Sequence, residues 1–231
     1  MKQISCKRTI LIVLILIYFI FLIVDYKNIF NTDKIKFISI VLCFVLTFSY
    51  REIISNRDIV LLRVARLLTI ITDYFLLLTD KFYYGVLLFS IVQIIYIYRH
   101  AKVKSGGILN ILLKLLIGLV LGIQILYILD VFRDKVIWTA VVLYGFLIIG
   151  STIAAYFCKN YGYRLAFNRK LVRYGMILFL LCDISVGLTN YFTYLDLNNE
   201  IINNINNVSR YFIWVFYLPS QVLLSLSGEK Y

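Results

Sequence analysis

Apolar residues run along this chain in long unbroken blocks, and polar residues collect in the gaps between them. The blocks do not alternate polar with apolar, so they do not read as strands of a membrane barrel. Only helices and closed barrels satisfy every backbone group in lipid, which leaves helices. The pattern predicts an all-α, polytopic transmembrane bundle of about eight spans: 9–25, 35–50, 59–79, 82–98, 108–130, 136–157, 171–190 and 208–226. The first two sit near the lower end of the roughly 17–25 residues that a crossing needs. Connecting segments are short, and the longest, 191–207, is Asn-rich with only acidic charge. The chain 1–231 therefore reads as a single transmembrane domain.

Composition agrees with the pattern, since 62% of the 231 residues are hydrophobic. A net charge of +12 would suggest nucleic acid in a soluble domain. Here the basic residues sit at span ends, and they are unevenly shared. With the N-terminus inside, inner segments hold fourteen Lys and Arg and outer segments seven. The positive-inside rule then places both termini in the cytoplasm. The charge reports topology and predicts no nucleic-acid partner. The first span follows Lys7 and Arg8 without a small-residue cleavage site, so it reads as an uncleaved anchor. Abundant Ile, Asn, Lys and Tyr point to a bacterial cell membrane.

A few polar groups lie too deep to be explained as span ends. Arg63 and Lys114 stand within about two turns of the inner surface and can snorkel to it. Arg66 lies deeper. Asp73 and Asp183 have side chains too short to snorkel, and an intramembrane carboxylate is a functional-site hypothesis by default. Asp73 lies about 9 Å and Asp183 about 10 Å below the outer ends of two spans running in the same direction. The two carboxylates are thus expected at one level, facing a shared polar cavity. Arg66, Thr69, Asp73 and Asp80 share one face of the third span. Gly85, Phe89, Gln93 and Tyr96 line the fourth, Gly175, Phe179, Asp183 and Asn190 the seventh, and Arg210, Trp214, Tyr217, Gln221 and Ser225 the eighth. Tyr, Gln, Ser and Gly at such positions also serve as plain helix–helix glue. Pro219, the sole proline, would free the carbonyl of Val215.

No phosphate-binding glycine loop, G-x-S-x-G elbow or H-E-x-x-H motif occurs. The four cysteines are scattered without a C-x-x-C pair, and the single histidine, His100, ends a span beside Arg99. These residues cannot build a typical zinc site, so neither metal nor cofactor is expected. Any chemistry must come from carboxylates.

Three segments, in order, resemble the YhhN-like lysoplasmalogenase family. They are "TDYFLLLTDKFYYGVLLFSIVQIIYIYR" (72–99), "YGMILFLLCDISVGL" (174–188) and "VFYLPSQVLLSLS" (215–227). The resemblance implies a polytopic enzyme that cleaves the vinyl ether bond of lysoplasmalogens. Its products would be a fatty aldehyde and a glycerophospho-head group. Residue by residue, Asp73 matches the aspartate of the first signature and Asp183 that of the second. Gly85 and Phe89 match its small and aromatic positions, and Tyr217 and Gln221 its closing pair. Thr72 stands where the family has glycine, Cys182 where it has serine, and Gln93 where it has histidine.

Vinyl ethers hydrolyse by protonation of the outer alkene carbon, which gives an oxocarbenium ion that water captures. Two carboxyls in a low-dielectric cavity suit this chemistry, one protonated as general acid and one ionised to steady the cation. Asp183 is assigned as acid and Asp73 as anion, because Arg66 shares the face of Asp73. Gln93, Tyr96, Tyr217 and Gln221 would hold water and glycerol oxygens of a lysophospholipid substrate. Two alternatives stand beside this reading. One is a family member, inactive or altered because Gln93 cannot titrate, that binds lipid. The other is a proton-coupled carrier using the paired acids as a relay. Oligomeric state and head-group preference are left open.

Overall fold

The computed structural model describes residues 2–27, 29–79, 81–100, 135–158, 166–195 and 200–230. Within them the chain is helical, with one isolated antiparallel bridge between Ile53 and Glu229 and no named strand. In order come α1 (Lys2–Tyr26), α2 (Asp33–Leu46), α3 (Asn56–Asp73), a five-residue π-helical segment (Tyr74–Leu78) and α4 (Phe82–His100). Then follow α5 (Lys135–Tyr156), α6 (Ala166–Leu195) and α7 (Glu200–Leu226). Each helix packs on its sequence neighbour, and α7 also packs on α1 and α2, which closes the described helices into a ring. The site side chains below project from α3, α4, α5, α6 and α7 into its interior.

Four described helices are long and apolar enough to cross a membrane: Cys6–Tyr26, Phe82–His100, Trp138–Tyr156 and Ala166–Tyr191. Their outward faces are apolar, as Ile12, Ile15, Leu16, Phe19, Ile20 and Ile23 on α1 illustrate. An outside as greasy as the core suits lipid and not water. This is an integral membrane protein.

Three of the eight expected spans take another form among the described residues. The span expected over 35–50 is the 14-residue α2, about 21 Å long against a hydrocarbon core of about 30 Å. It stops because Thr47 and Ser49 turn their hydroxyls onto the carbonyls of Phe44 and Leu46. The third span combines α3 with the π segment and carries Arg57, Asp58, Arg63, Arg66 and Asp73, too many charges for a simple lipid-facing crossing. The eighth is the polar-striped half of α7. The segment 191–207 is not one loop either, because α6 continues to Leu195 and α7 begins at Glu200. Hydropathy marks where a helix leaves lipid, whereas its backbone bonds continue into water unhindered. The expected span 108–130, Lys114 and Asp80 lie outside the described residues.

Two details show sequence acting locally. Ser55 caps α3 by accepting from the backbone N–H of Asp58 at 3.1 Å. Within α7, Pro219 cannot donate to the carbonyl of Val215, and the Tyr18 hydroxyl of α1 donates to that carbonyl instead at 3.0 Å. A proline in α7 thus fixes where α1 docks.

One end of the bundle is closed by polar contacts. Arg99 makes a two-pronged ion pair with Asp58 (2.9 and 2.8 Å) and donates to Ser227 at 3.1 Å. Backbone bonds from Ile54 N–H to Gly228 and from Lys230 N–H to Glu52 seat the C-terminal segment on the turn before α3. Lys7 pairs with Glu229. Arg63 donates to the Thr47 carbonyl at 3.0 Å over the Phe48 ring.

Candidate functional site

Asp73 is the last residue of α3, and the helix widens into the π segment immediately after it. One-turn π segments recur at functional sites because they re-aim the side chains beside them. Leu76 of this segment lies so close to α4 that a Cβ on Gly85 would collide with it. The structure therefore places Gly85 as the small residue that lets the π segment seat against α4.

Asp73 is buried, at 3% exposure, with Arg66, Thr69 and Thr72 buried on the same side of α3. Thr69 and Thr72 use their hydroxyls on carbonyls one turn back. Asp73 is left for another helix: Tyr217 of α7 donates its hydroxyl to Oδ2 at 2.6 Å. One turn further along α7, Gln221 accepts from the Arg66 guanidinium through its carbonyl oxygen. Arg66 and Asp73 make no direct ion pair, as their separation along α3 requires, but the guanidinium acts on the carboxylate through space.

Asp183 on α6 has a matching arrangement. Tyr144 of α5 donates its hydroxyl to Oδ2 at 2.5 Å. Gln93 of α4 lies beside Tyr144 and accepts from Ser151 of α5 at 2.7 Å. Its amide nitrogen faces the phenol without reaching hydrogen-bond geometry, so among the described residues that buried donor has no partner.

Between the two carboxylates stands an aromatic cluster. The Phe89 ring lies 5.6 Å from Phe179, 6.0 Å from Tyr144 and 6.4 Å from Tyr217. Phe179 and Tyr217 are 5.8 Å apart, with Trp214 5.2 Å beyond Tyr217. The aspartates are near enough to act on each other electrostatically, yet each is held by its own tyrosine. The shared cavity expected between them is filled by these rings.

The sequence-predicted residues thus divide. Asp73, Asp183, Phe89, Gln93, Tyr217 and Gln221 converge on one region of the interior. Tyr96 lies toward the end closed by the Arg99–Asp58 pair, its ring stacked on His100 at 5.5 Å. Gly175 is used where Leu224 of α7 crosses α6, and exposed Asn190 turns back onto the carbonyl of Val186. Tyr144 and Ser151 were not foreseen. They stand seven apart on one face of a helix otherwise full of Val, Leu and Ile, and that spacing was their available signal.

The four cysteines are free, Cys6 exposed and Cys43, Cys158 and Cys182 buried. Among the described residues no cluster of His, Cys, Asp and Glu has the makings of a metal site. The convergence sets two carboxyls, two phenols, two amides and a cation around one aromatic cluster. Such a set can deliver a proton and steady a cation.

No curated protein and no solved structure matches this chain. A family model does, over residues 31–228, a stretch that takes in both aspartates and both tyrosines. The chain belongs to the YhhN family, the family of lysoplasmalogenases.

Proposed function

We propose that this protein hydrolyses the vinyl ether bond of lysoplasmalogens within the membrane, with Asp183 as general acid and Asp73 as the anion. The observation that carries the reading is the pairing of each carboxylate, Asp73 buried and Asp183 half-buried, with a tyrosine, Tyr217 and Tyr144, across one aromatic cluster. Asp183 delivers a proton to the outer alkene carbon, and the double-bond electrons form the new C–H bond. The resulting oxocarbenium ion is steadied by Asp73, the carboxylate on the helix of Arg66. Water adds to the cationic carbon and gives its proton to Asp73. The hemiacetal hydroxyl then returns a proton to Asp183 while Asp73 protonates the departing glycerol oxygen. Aldehyde and glycerophospho-alcohol leave, and both aspartates are reset.

Tyr144 and Tyr217 fix the carboxylates, and the unpartnered amide nitrogen of Gln93 is a donor for water or a glycerol oxygen. Gln221 holds Arg66 in place, and Phe89 and Phe179 face the flat vinyl ether and the start of the lipid chain. Tyr96, stacked on His100, belongs to the inner wall. No cofactor enters this chemistry. The reading carries with it a single bundle in a bacterial cell membrane, crossing eight times with both termini inside.

A second reading rests on Gln93, which stands at the family's histidine position and cannot carry a proton. In it the chain binds the same lipid without turning it over. Aldehyde release from purified, membrane-inserted protein separates the two. The hydrolase releases aldehyde from choline or ethanolamine lysoplasmalogen, and Asp73→Asn and Asp183→Asn each lower the rate by about 10²–10⁴-fold. Absence of release from folded wild type with both head groups overturns the hydrolase and leaves the binder. Proton-coupled uptake that is lost in the same variants would instead identify a carrier.

A further inference from the structure

At the end of the bundle nearer Asp73, a cleft of about 960 Å³ opens between the α1–α2 connection and the middle of α7. That volume is at the upper end for small-molecule sites. Its floor is a buried charged group. Lys36, 8% exposed, pairs with Asp25 at 2.8 Å and lies 5.2 Å over the Trp214 ring. Thr32 donates to the other oxygen of Asp25 at 2.5 Å and so holds it in place. Across the cleft stands Arg210, exposed and without an ion-pair partner among the described residues. Asp33 lies at the rim, 4.0 Å from Lys36, near the rings of Tyr26 and Tyr211, which meet edge to face at 6.2 Å.

We propose that this cleft binds the zwitterionic phosphodiester head group of a single-chain phospholipid. Lys36 and Arg210 face the phosphate, and Asp33 with Tyr26 and Tyr211 faces the ammonium. The inference rests on the lysoplasmalogenase reading and adds the site that orients the substrate. Three observations carry it. The cleft is lined by both signs of charge, Lys36 and Arg210 together with Asp25 and Asp33, which suits a zwitterion better than a simple anion. Aromatic faces beside a carboxylate suit an alkylammonium group. The floor also leads to the candidate active site, because Trp214 packs on Tyr217, whose hydroxyl holds Asp73. Tyr26 (76% exposed), Ile29 and Phe30 surround the mouth with apolar surface, so a lipid can reach it from the membrane.

The test is a binding measurement that needs no turnover. The chain has two tryptophans, so Trp138→Phe leaves Trp214 as the only indole and as a reporter on the cleft floor. Titration with a non-cleavable 1-O-alkyl lysophosphatidylcholine is expected to change Trp214 emission, and Arg210→Gln or Lys36→Met to weaken the apparent Kd by about tenfold. The 1-O-alkylglycerol, which lacks the head group, is expected to bind wild type and variants alike. Free phosphocholine, lacking the chain, is expected to bind far more weakly than the lipid. Equal affinity of wild type and both variants for the lysolipid overturns the proposal, as does equal weakening for the alkylglycerol. Removing Lys36 takes from half-buried Asp25 its ammonium partner. If that variant does not insert, the exposed Arg210 decides alone. Head-group-dependent binding without aldehyde release would sustain the cleft while the hydrolase reading fails, so the two outcomes are distinguishable.

Discussion

At the scale of the residue, two carboxylates with the same depth in the sequence receive the same treatment in the fold. Asp73 and Asp183 each accept one short hydrogen bond from a tyrosine on another helix. The bond fixes one oxygen, Oδ2, of each carboxylate. Tyr217→Phe and Tyr144→Phe should therefore slow aldehyde release by about tenfold each, the worth of one lost hydrogen bond in the transition state. Both variants should insert normally, and steady-state kinetics should show the loss in kcat more than in KM. The aspartates and Tyr217 were legible in the sequence because a polar group inside an apolar block stands out. Tyr144 was not, because tyrosine is frequent in this chain, 19 of 231 residues, and so carries little signal alone.

At the scale of the element, the informative features are departures from regular helix. The π segment after Asp73 and the proline in α7 lie on either side of the Asp73–Tyr217 bond. Pro219 was visible in the sequence, as was the carbonyl it would free. That Tyr18 would fill the vacancy depended on α1 lying against α7, which no local pattern states. Tyr18→Phe should cost about 1 kcal/mol, the scale of interhelical hydrogen bonds in membrane proteins. Thermal unfolding in detergent should register the loss, with activity retained below the transition. The π segment has no sequence signature here, since "YFLLL" would serve equally well as α-helix. It exists because Leu76 must seat over Gly85, a contact across two helices.

At the scale of the molecule, the ring of helices is fastened at one end by polar contacts and carries a cleft at the other. The Arg99–Asp58 pair, 4% exposed on the arginine, holds α4, α3 and the segment after α7 together. Removing one member of a buried pair leaves an uncompensated charge, so Asp58→Asn should destabilise the protein by about 3–5 kcal/mol. A lowered midpoint in detergent, accompanied by faster proteolysis of the C-terminal segment, would register that loss. The opposite end carries the 960 Å³ cleft and places Lys36 and Trp214 beside the candidate active site. A bundle fixed at one end and open at the other suits the proposed substrate, with its polar head and apolar tail.

The sequence by itself determined the class of the protein, its family and the two aspartates. These follow from local rules: hydropathy dictates helices in lipid, and an unexplained carboxylate in an apolar run is conspicuous wherever it points. The lengths of the helices, the tyrosine partners, the π segment and the cleft were decided by tertiary structure. Each depends on which residues of distant segments come within a few ångströms, and a side chain's partner across a bundle leaves no trace in its own sequence neighbourhood.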